Sequence, residues 1–268
     1  MLLRDSLLVS SMLFNSEAWY NLTNAELDLL ETIDVSFLRQ LLKAPKGTPK
    51  EMLYLELGCI PLREVIRERR LGLLYYILNE NPNSMIHKFF QCQMKGRKRR
   101  DWATTIIEDL EKLEISMNME EIRKMKKGSF MNMIKQRIKN KAFEKLEQTK
   151  LSHSKVDSIE HNGINMQKYL QPNSCKIKIE EAQLIFKMRC RTTEAKVNLR
   201  GKYDNLECGA CGLEEETQQH ILYCTELNKD KLDQDLKYEK IFNGNVVEKL
   251  KIAQSFKDNM DRLENMKT

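Results

Sequence analysis

Four side chains near the end of the chain have the types and the spacing of a metal site: Cys208, Cys211, His220 and Cys224. They form the pattern C-x2-C-x8-H-x3-C, and three thiolates with one imidazole are an established ligand set for a structural zinc ion. His220 and Cys224 lie four residues apart, so on a helix their side chains share one face. Because the protein supplies all four ligands, we predict that the zinc stabilises local structure and does not activate water.

The alternative is that these cysteines are ordinary thiols. The chain has seven cysteines and four histidines, and three of the cysteines lie within 17 residues beside one of the histidines, which favours the metal site. The remaining cysteines show no ligand spacing and are expected to be reduced: Cys59, Cys92, Cys175 and Cys190. An odd number of cysteines and the lack of a secretory leader predict an intracellular protein, cytoplasmic or nuclear. No apolar run is long enough to span a bilayer, so no membrane partner is expected.

The elements that must position this site are predicted to be helices. Of the 268 residues, 41% are hydrophobic and 31% are charged, with only 10 glycines and 5 prolines, which is typical of a helix-rich protein with short connections. Apolar spacing and caps predict helices over 1–20, 24–43, 49–57, 61–78, 102–113, 118–127, 129–150 and 179–191. The predicted fold class is therefore mainly α, with a small zinc-stabilised module.

Composition also predicts the domain organisation. A helical region covers 1–150, and a weakly patterned linker follows over 151–178. A helix and the zinc module then occupy 179–228, and a polar, acidic-leaning tail covers 229–268.

The charge of the chain is distributed unevenly. Residues 61–100 hold ten Lys and Arg against three acids, 121–155 hold eleven against three, and 204–268 hold nine against fourteen. A basic body joined to an acidic end predicts a polyanionic partner for the body. The alternative is that the lysines form ordinary solvated faces.

A series of short motifs runs through about the first 225 residues. They are Leu2-Leu3-Arg4-Asp5-Ser6, Leu13-Phe14-Asn15-Ser16-Glu17-Ala18-Trp19, Tyr54-Leu55-Glu56-Leu57-Gly58, Pro61-Leu62-Arg63, Arg69-Arg70-Leu71, Asp101-Trp102, Phe186-Lys187-Met188-Arg189 and Thr217-Gln218-Gln219-His220-Ile221-Leu222. Together with the Cys/His motif, which is the most specific part, they resemble the C-terminal region of non-long-terminal-repeat retrotransposon reverse transcriptases. The resemblance implies a helical, thumb-like and linker region over 1–150 that lies against a nucleic-acid duplex.

The polymerase site of that family is missing from this sequence. The family carries an aromatic-x-Asp-Asp motif on its palm, and no two adjacent aspartates occur in this chain. Two-metal phosphoryl transfer requires clustered carboxylates around Mg²⁺. We therefore predict that the chain does not polymerise by itself and has no small-molecule substrate. The resemblance adds the missing polymerase palm as a further partner.

Three basic segments are the candidate contacts to RNA or DNA phosphates. They comprise Arg63, Arg67, Arg69 and Arg70; Lys95, Arg97, Lys98, Arg99 and Arg100; and Lys196, Arg200 and Lys202. Basic side chains of this kind contact the backbone without reading bases. The alternatives are surface charge balanced by helical neighbours such as Glu64 and Glu68, or, for 95–100, a basic loop or nuclear address.

The predicted function is non-catalytic nucleic-acid binding by a reverse-transcriptase fragment with a structural zinc site. One alternative is that the chain forms part of an active RNA-directed DNA polymerase whose palm lies upstream or on another chain. A second is a protein-interaction module in which zinc only joins helices. Phosphate contacts weaken as salt rises, so the salt dependence of binding distinguishes this second alternative from nucleic-acid binding.

Overall fold

The computed structural model describes residues 3–96, 101–171, 177–228 and 237–266. Over these residues the protein is mainly helical, as predicted, and its only β pairing is one isolated antiparallel bridge between Glu207 and Glu215. The α-helices are α1 (Ser10–Met12), α2 (Asn24–Leu42), α3 (Lys50–Leu57), α4 (Leu62–Asn79), α5 (Met85–Gly96), α6 (Trp102–Lys112), α7 (Met119–Lys124), α8 (Lys127–Lys150), α9 (Ile179–Arg189), α10 (Gln218–Tyr223), α11 (Lys240–Asn243) and α12 (Val246–Asn265).

The chain divides into two compact units. Unit 1 comprises Met1–Phe37 and Cys59–Leu146, and unit 2 comprises Leu38–Gly58 and Glu147–Thr268. The divisions fall inside α2, after α3 and inside α8.

The main core of unit 1 is built around α4. Its buried residues Leu71, Leu74 and Leu78 recur at helical spacing and pack with the apolar faces of α5, α6, α7 and α8. Phe130 of α8 is fully buried against this face and stacks on the ring of Tyr75 at 5.5 Å between centroids. The amphipathic patterning of the sequence thus accounts for the core of this unit.

The beginning of the chain forms a second part of unit 1. A π-helical turn over Arg4–Val9 continues into α1, and Asn15, with a φ of 55°, ends it before a 3₁₀ turn at Ser16–Ala18. A single helix over 1–20 was predicted, but the left-handed backbone at Asn15 interrupts it. The buried guanidinium of Arg4 binds both carboxylate oxygens of Asp34 at 2.7 Å.

Unit 2 includes the described parts of the two segments predicted as linker and tail. In 151–171, the apolar side chains Val156, Ile159 and Ile164 are buried although no α-helix forms there. Irregular turns can bury apolar side chains without the periodicity that reveals a helix.

The end of unit 2 is the long helix α12. Asn245 and Glu248 form a capping box at its first turn, and its buried face includes Phe256 and Leu263. The polar composition of 229–268 led to the prediction of a tail. Two buried positions of α12, Lys249 and Asn259, contribute to this polar composition.

A buried ion-pair network lies at the centre of unit 2. The fully buried carboxylate of Glu56 on α3 accepts hydrogen bonds from Arg189 at 2.7 Å and from the Tyr169 hydroxyl at 2.6 Å. His161 Nε2 lies 2.9 Å from the same carboxylate. Burial opposes the ionisation of Glu56, but the charges and hydrogen bonds of Arg189 and His161 outweigh it and hold the pKa of this carboxyl well below its usual range.

Candidate metal centre

The first two predicted ligands lie on a tight turn in unit 2. The backbone N–H of Cys208 donates to the carbonyl of Glu214 at 2.7 Å, and the N–H of Gly212 donates to the carbonyl of Cys208 at 2.9 Å. Gly212 has a φ of 66°, in the left-handed region that glycine adopts without strain. The turn therefore directs the Cys208 and Cys211 side chains toward a common point.

The other two ligands lie on and after α10. The hydroxyl of Thr217 caps this helix by accepting from the N–H of His220 at 2.9 Å, and Cys224 follows its last residue. Between the two ligands, Ile221 and Leu222 are buried in unit 2. One face of the helix thus anchors it in the core while the other presents the ligands.

The four ligand atoms are close enough to share one metal ion. All lie within 4.8 Å of one another, with 3.9 Å between the sulfurs of Cys208 and Cys224 and 3.3 Å between Cys211 Sγ and His220 Nε2. Zn–S bonds of about 2.3 Å at tetrahedral angles place two sulfurs about 3.8 Å apart. The donor set and its spacing therefore fit a tetrahedral metal.

The thiols of the cluster differ in acidity. Backbone N–H groups, first that of Leu213, lower the pKa of Cys211 to about 7. Burial raises the pKa of Cys224 to about 11. A metal that binds all three sulfurs must displace their protons, so its affinity rises with pH.

Acidic residues surround the cluster and support it. The Nδ1 atom of His220 lies 3.0 Å from a carboxylate oxygen of Glu214, which orients the ring and leaves Nε2 for the metal. Buried Glu216 accepts from the N–H of Gly209 at 3.1 Å and forms an ion pair with Lys196 at 3.6 Å. These partners are set by the fold of the loop that follows Cys208 and by Lys196 before it.

Helix α12 also supports the cluster, a contribution that the sequence did not reveal. The Asn259 side chain donates to the carbonyl of Ile221 at 2.9 Å and to Asn228 at 3.2 Å. Asn228 in turn donates to the carbonyl of Cys224 at 2.8 Å. These bonds satisfy carbonyls at the end of α10, where a helix leaves such groups unpaired.

Of the predicted phosphate contacts on α4, Arg63 and Arg67 face acidic residues of unit 1. Arg63 binds Glu31 at 2.5 Å and Asp28 at 2.8 Å. Arg67 binds Asp109 at 3.0 Å and also contacts Glu64. Their charges are therefore balanced within the protein.

The other two arginines of α4 are similarly engaged. Arg70 is buried and binds Asp109 at 2.7 Å. Arg69 donates to the carbonyl of Leu13 and to the hydroxyl of Ser16. The structure does not bring the four arginines together as an open basic face, because α4 is a central helix of unit 1.

The remaining predicted contacts are distributed over separate surfaces. Lys95 is exposed at the end of α5, and Arg97, Lys98, Arg99 and Arg100 lie outside the described residues. Lys196 pairs with Glu216, and exposed Arg200 lies 3.5 Å from Glu215. Lys202 is exposed, with its ammonium 5.5 Å from the ring of Tyr203. Phosphate contact by all of these residues remains a prediction.

A basic surface on α7, α8 and the turn between them was not selected from the sequence. It is exposed in unit 1 and consists of Arg123, Lys124, Lys126, Lys127, Arg137 and Lys139. Within the described part of the chain, none of the six forms an ion pair. The excess of basic residues over 121–155 was the available signal in the sequence.

No described helix combines the length and the apolar character needed to cross a bilayer.

Comparison with known proteins identifies no relative of this chain. No protein-family model, no curated protein and no solved structure matches this chain. What stands is a four-residue Cys/His cluster in a mainly helical protein, with a geometry that fits one metal ion.

Proposed function

We propose that the chain binds RNA or DNA through the phosphate backbone, as a non-catalytic protein related to the C-terminal region of non-long-terminal-repeat reverse transcriptases. A zinc ion held by Cys208, Cys211, His220 and Cys224 stabilises it. The observation that carries the proposal is the basic surface of α7 and α8, whose six side chains form no ion pair in the described part of the chain.

The ligand chemistry supports zinc as the metal. Thiolates and imidazole favour zinc over the oxygen-binding ions Mg²⁺ and Ca²⁺. Four protein ligands match a structural site, in which the ion supplies folding energy and no reaction. The cluster also carries a net negative charge when three thiolates bind Zn²⁺. Phosphate is therefore assigned to the basic surface and not to the zinc loop.

The electrostatics of α7 and α8 support phosphate binding. Lysine and arginine side chains without internal partners are free to displace counterions from a nucleic acid, which is the main source of non-specific affinity. Helix α8 spans 24 residues, and its exposed Lys127 and Lys139 lie more than three turns apart. Such a helix can contact several phosphates along one backbone.

The salt dependence of binding tests this proposal. Metal-loaded full-length protein is titrated into fluorescent RNA and duplex DNA at several salt concentrations. For duplex DNA, log K falls linearly as log salt rises. Replacing Lys127 and Lys139 with glutamine is expected to make this negative slope less steep, by about 0.9 for each lost phosphate contact. The matched control replaces Lys251 and Lys257, which are exposed on α12, and is expected to change the slope little. Binding that is absent, or equal in both variants, would refute the proposal.

A protein-interaction module is the second candidate function. Its support is the exposed apolar surface of α5 in unit 1, where Met85 is 85% and Phe89 is 62% exposed. Surfaces of this kind are typical of contacts with other proteins. A protein partner bound through this apolar surface is retained at high salt, whereas RNA or DNA bound through phosphate contacts is released.

A further inference from the structure

A cleft of about 700 Å³ opens in unit 2, away from the Cys/His cluster. The lining residues that matter here are Lys168, Tyr169, Arg189, Asn245, Val246 and Lys249. The cleft is large enough for a small organic ligand, and it lies between the buried Glu56 network and the beginning of α12.

Lys249 brings an unbalanced positive charge to this cleft. Only 7% of the residue is exposed, and within the described residues its ammonium has no hydrogen-bond acceptor and no carboxylate partner. Its described contact is with the ring of Tyr169, at 5.8 Å. Burial, followed by the nearby charge of Arg189, lowers the pKa of Lys249 to about 8. The nearby charge of Glu56 offsets part of this effect, and a largely buried cation without a direct ion-pair partner favours a ligand that supplies negative charge.

The neighbouring cation in the cleft, Arg189, already has a carboxylate partner in the protein. Arg189 binds the Glu56 carboxylate at 2.7 Å and donates to the carbonyls of Ile241 and Phe242. Its hydrogen-bonding capacity is therefore directed into the protein. Lys249 is the cation of this pair that remains available to a ligand.

The first turn of α12 adds backbone N–H donors to the cleft. The helix has 20 residues, so its N-terminal end carries a partial positive charge. The Asn245 side chain caps the N–H of Glu248 at 3.0 Å. The N–H groups of Val246 and Val247, which also line the cleft, receive no bond from this cap. Amides at such a position bind phosphate groups well.

We propose that this cleft is a phosphate-binding site, in which Lys249 and the first turn of α12 hold the phosphate group. Polar side chains of the lining, among them Asn162, Gln167 and Asn243, are placed to bind the remainder of the ligand. The site is separate from the basic surface of α7 and α8, so the inference does not depend on the proposed function. The phosphate can come from a nucleic-acid chain or from a small phosphorylated molecule.

Calorimetric titration of the metal-loaded full chain tests the site. The probes are inorganic phosphate, adenosine 5′-monophosphate, and one oligonucleotide with and without a 5′-phosphate. Lys249→Met is expected to weaken binding about ten-fold, the effect of losing one charge-assisted hydrogen bond. The control Lys251→Met removes an exposed lysine of the same helix and is expected to leave the affinity unchanged.

The outcomes separate the two sources of phosphate. Lys249-dependent binding of inorganic phosphate or the mononucleotide supports the site and assigns it to a small phosphorylated ligand. A Lys249-dependent preference for the phosphorylated oligonucleotide alone supports the site and assigns it to a nucleic-acid end. Because Lys249→Met removes an unpaired buried charge, we expect it to unfold at no lower temperature than the parent protein. No binding of any probe, or equal binding by parent and Lys249→Met, would overturn the proposal.

Discussion

At the scale of single residues, the Glu56 carboxylate of unit 2 is a negative charge held away from solvent. It is fully buried, and its negative charge balances Arg189. We expect Glu56→Gln to lower the free energy of unfolding by about 3–5 kcal/mol, because it leaves Arg189 buried without a counterion. Urea unfolding measures the change. Glu180→Gln, an exposed residue of α9, is the control and should change stability by less than about 0.5 kcal/mol.

The same carboxylate predicts a loss of stability in acid. The pKa of Glu56 is depressed in the folded protein, so its contribution is complete above the unfolded-state pKa of about 4.3 and is lost as pH falls below that value. Urea midpoints measured from pH 7 to pH 3 should fall for the parent protein below about pH 4.3. Glu56→Gln should show a shallower decline over this range. Equal pH profiles would contradict the assignment.

At this scale, the four residues of the Cys/His cluster could be predicted from the sequence, but the buried network around Glu56 could not. Cys208 and Cys211 are recognisable because the ligands of a zinc site recur at short, fixed spacing. Glu56 and Arg189 lie 133 positions apart, and neither has a local pattern that reveals its partner. Arg63 and Arg67 of α4 lie 35 and 42 positions from Asp28 and Asp109, so these ion pairs were not visible as local patterns either.

At the scale of elements, the end of α3 depends on a glycine. Gly58 has a φ of 66°, and a β-carbon at this position would collide with the backbone of Met166 in the same unit. We expect Gly58→Ala to destabilise the protein by about 2 kcal/mol or more, because the left-handed backbone and the close approach both exclude a side chain. Thermal or urea unfolding measures this loss.

Gly47→Ala is the matched control for that substitution. Gly47 lies in the same unit, its surroundings are open, and its backbone is outside the left-handed region. It should therefore change stability by no more than about 0.5 kcal/mol. If both substitutions were equally tolerated, the packing of Met166 against the end of α3 would be wrong.

The helices were predictable to the extent that their buried faces are apolar. In α4 and α8 the periodic Leu, Ile and Phe positions mark the helix and its inner face. In α12, two buried positions are polar: Lys249 lines the cleft, and Asn259 donates to the carbonyl of Ile221 in α10. The capping pair Asn245 and Glu248 and the apolar residues Ile252, Phe256 and Leu263 were the local signals of this helix.

At the scale of the whole molecule, a metal ion bound by the Cys/His cluster would couple chemistry to folding. The cluster joins a tight turn to α10, and α10 packs against α12. Binding energy at such a site becomes folding energy when the unfolded chain lacks a preformed site. The basic surface of α7 and α8 belongs to unit 1, whereas the Cys/His cluster and the cleft proposed to bind phosphate belong to unit 2. Each can therefore be tested with variants that leave the other unit unchanged.

The zinc content of the purified full-length chain tests the central claim most directly. We predict one equivalent of zinc for each chain, about none in Cys211→Ser, and one in the control Cys92→Ser, which removes an exposed thiol outside the cluster. Cys211→Ser should also unfold at a lower temperature, because the metal would no longer join the turn to α10. A parent chain that folds without metal, and has the same stability as Cys211→Ser, would contradict the account.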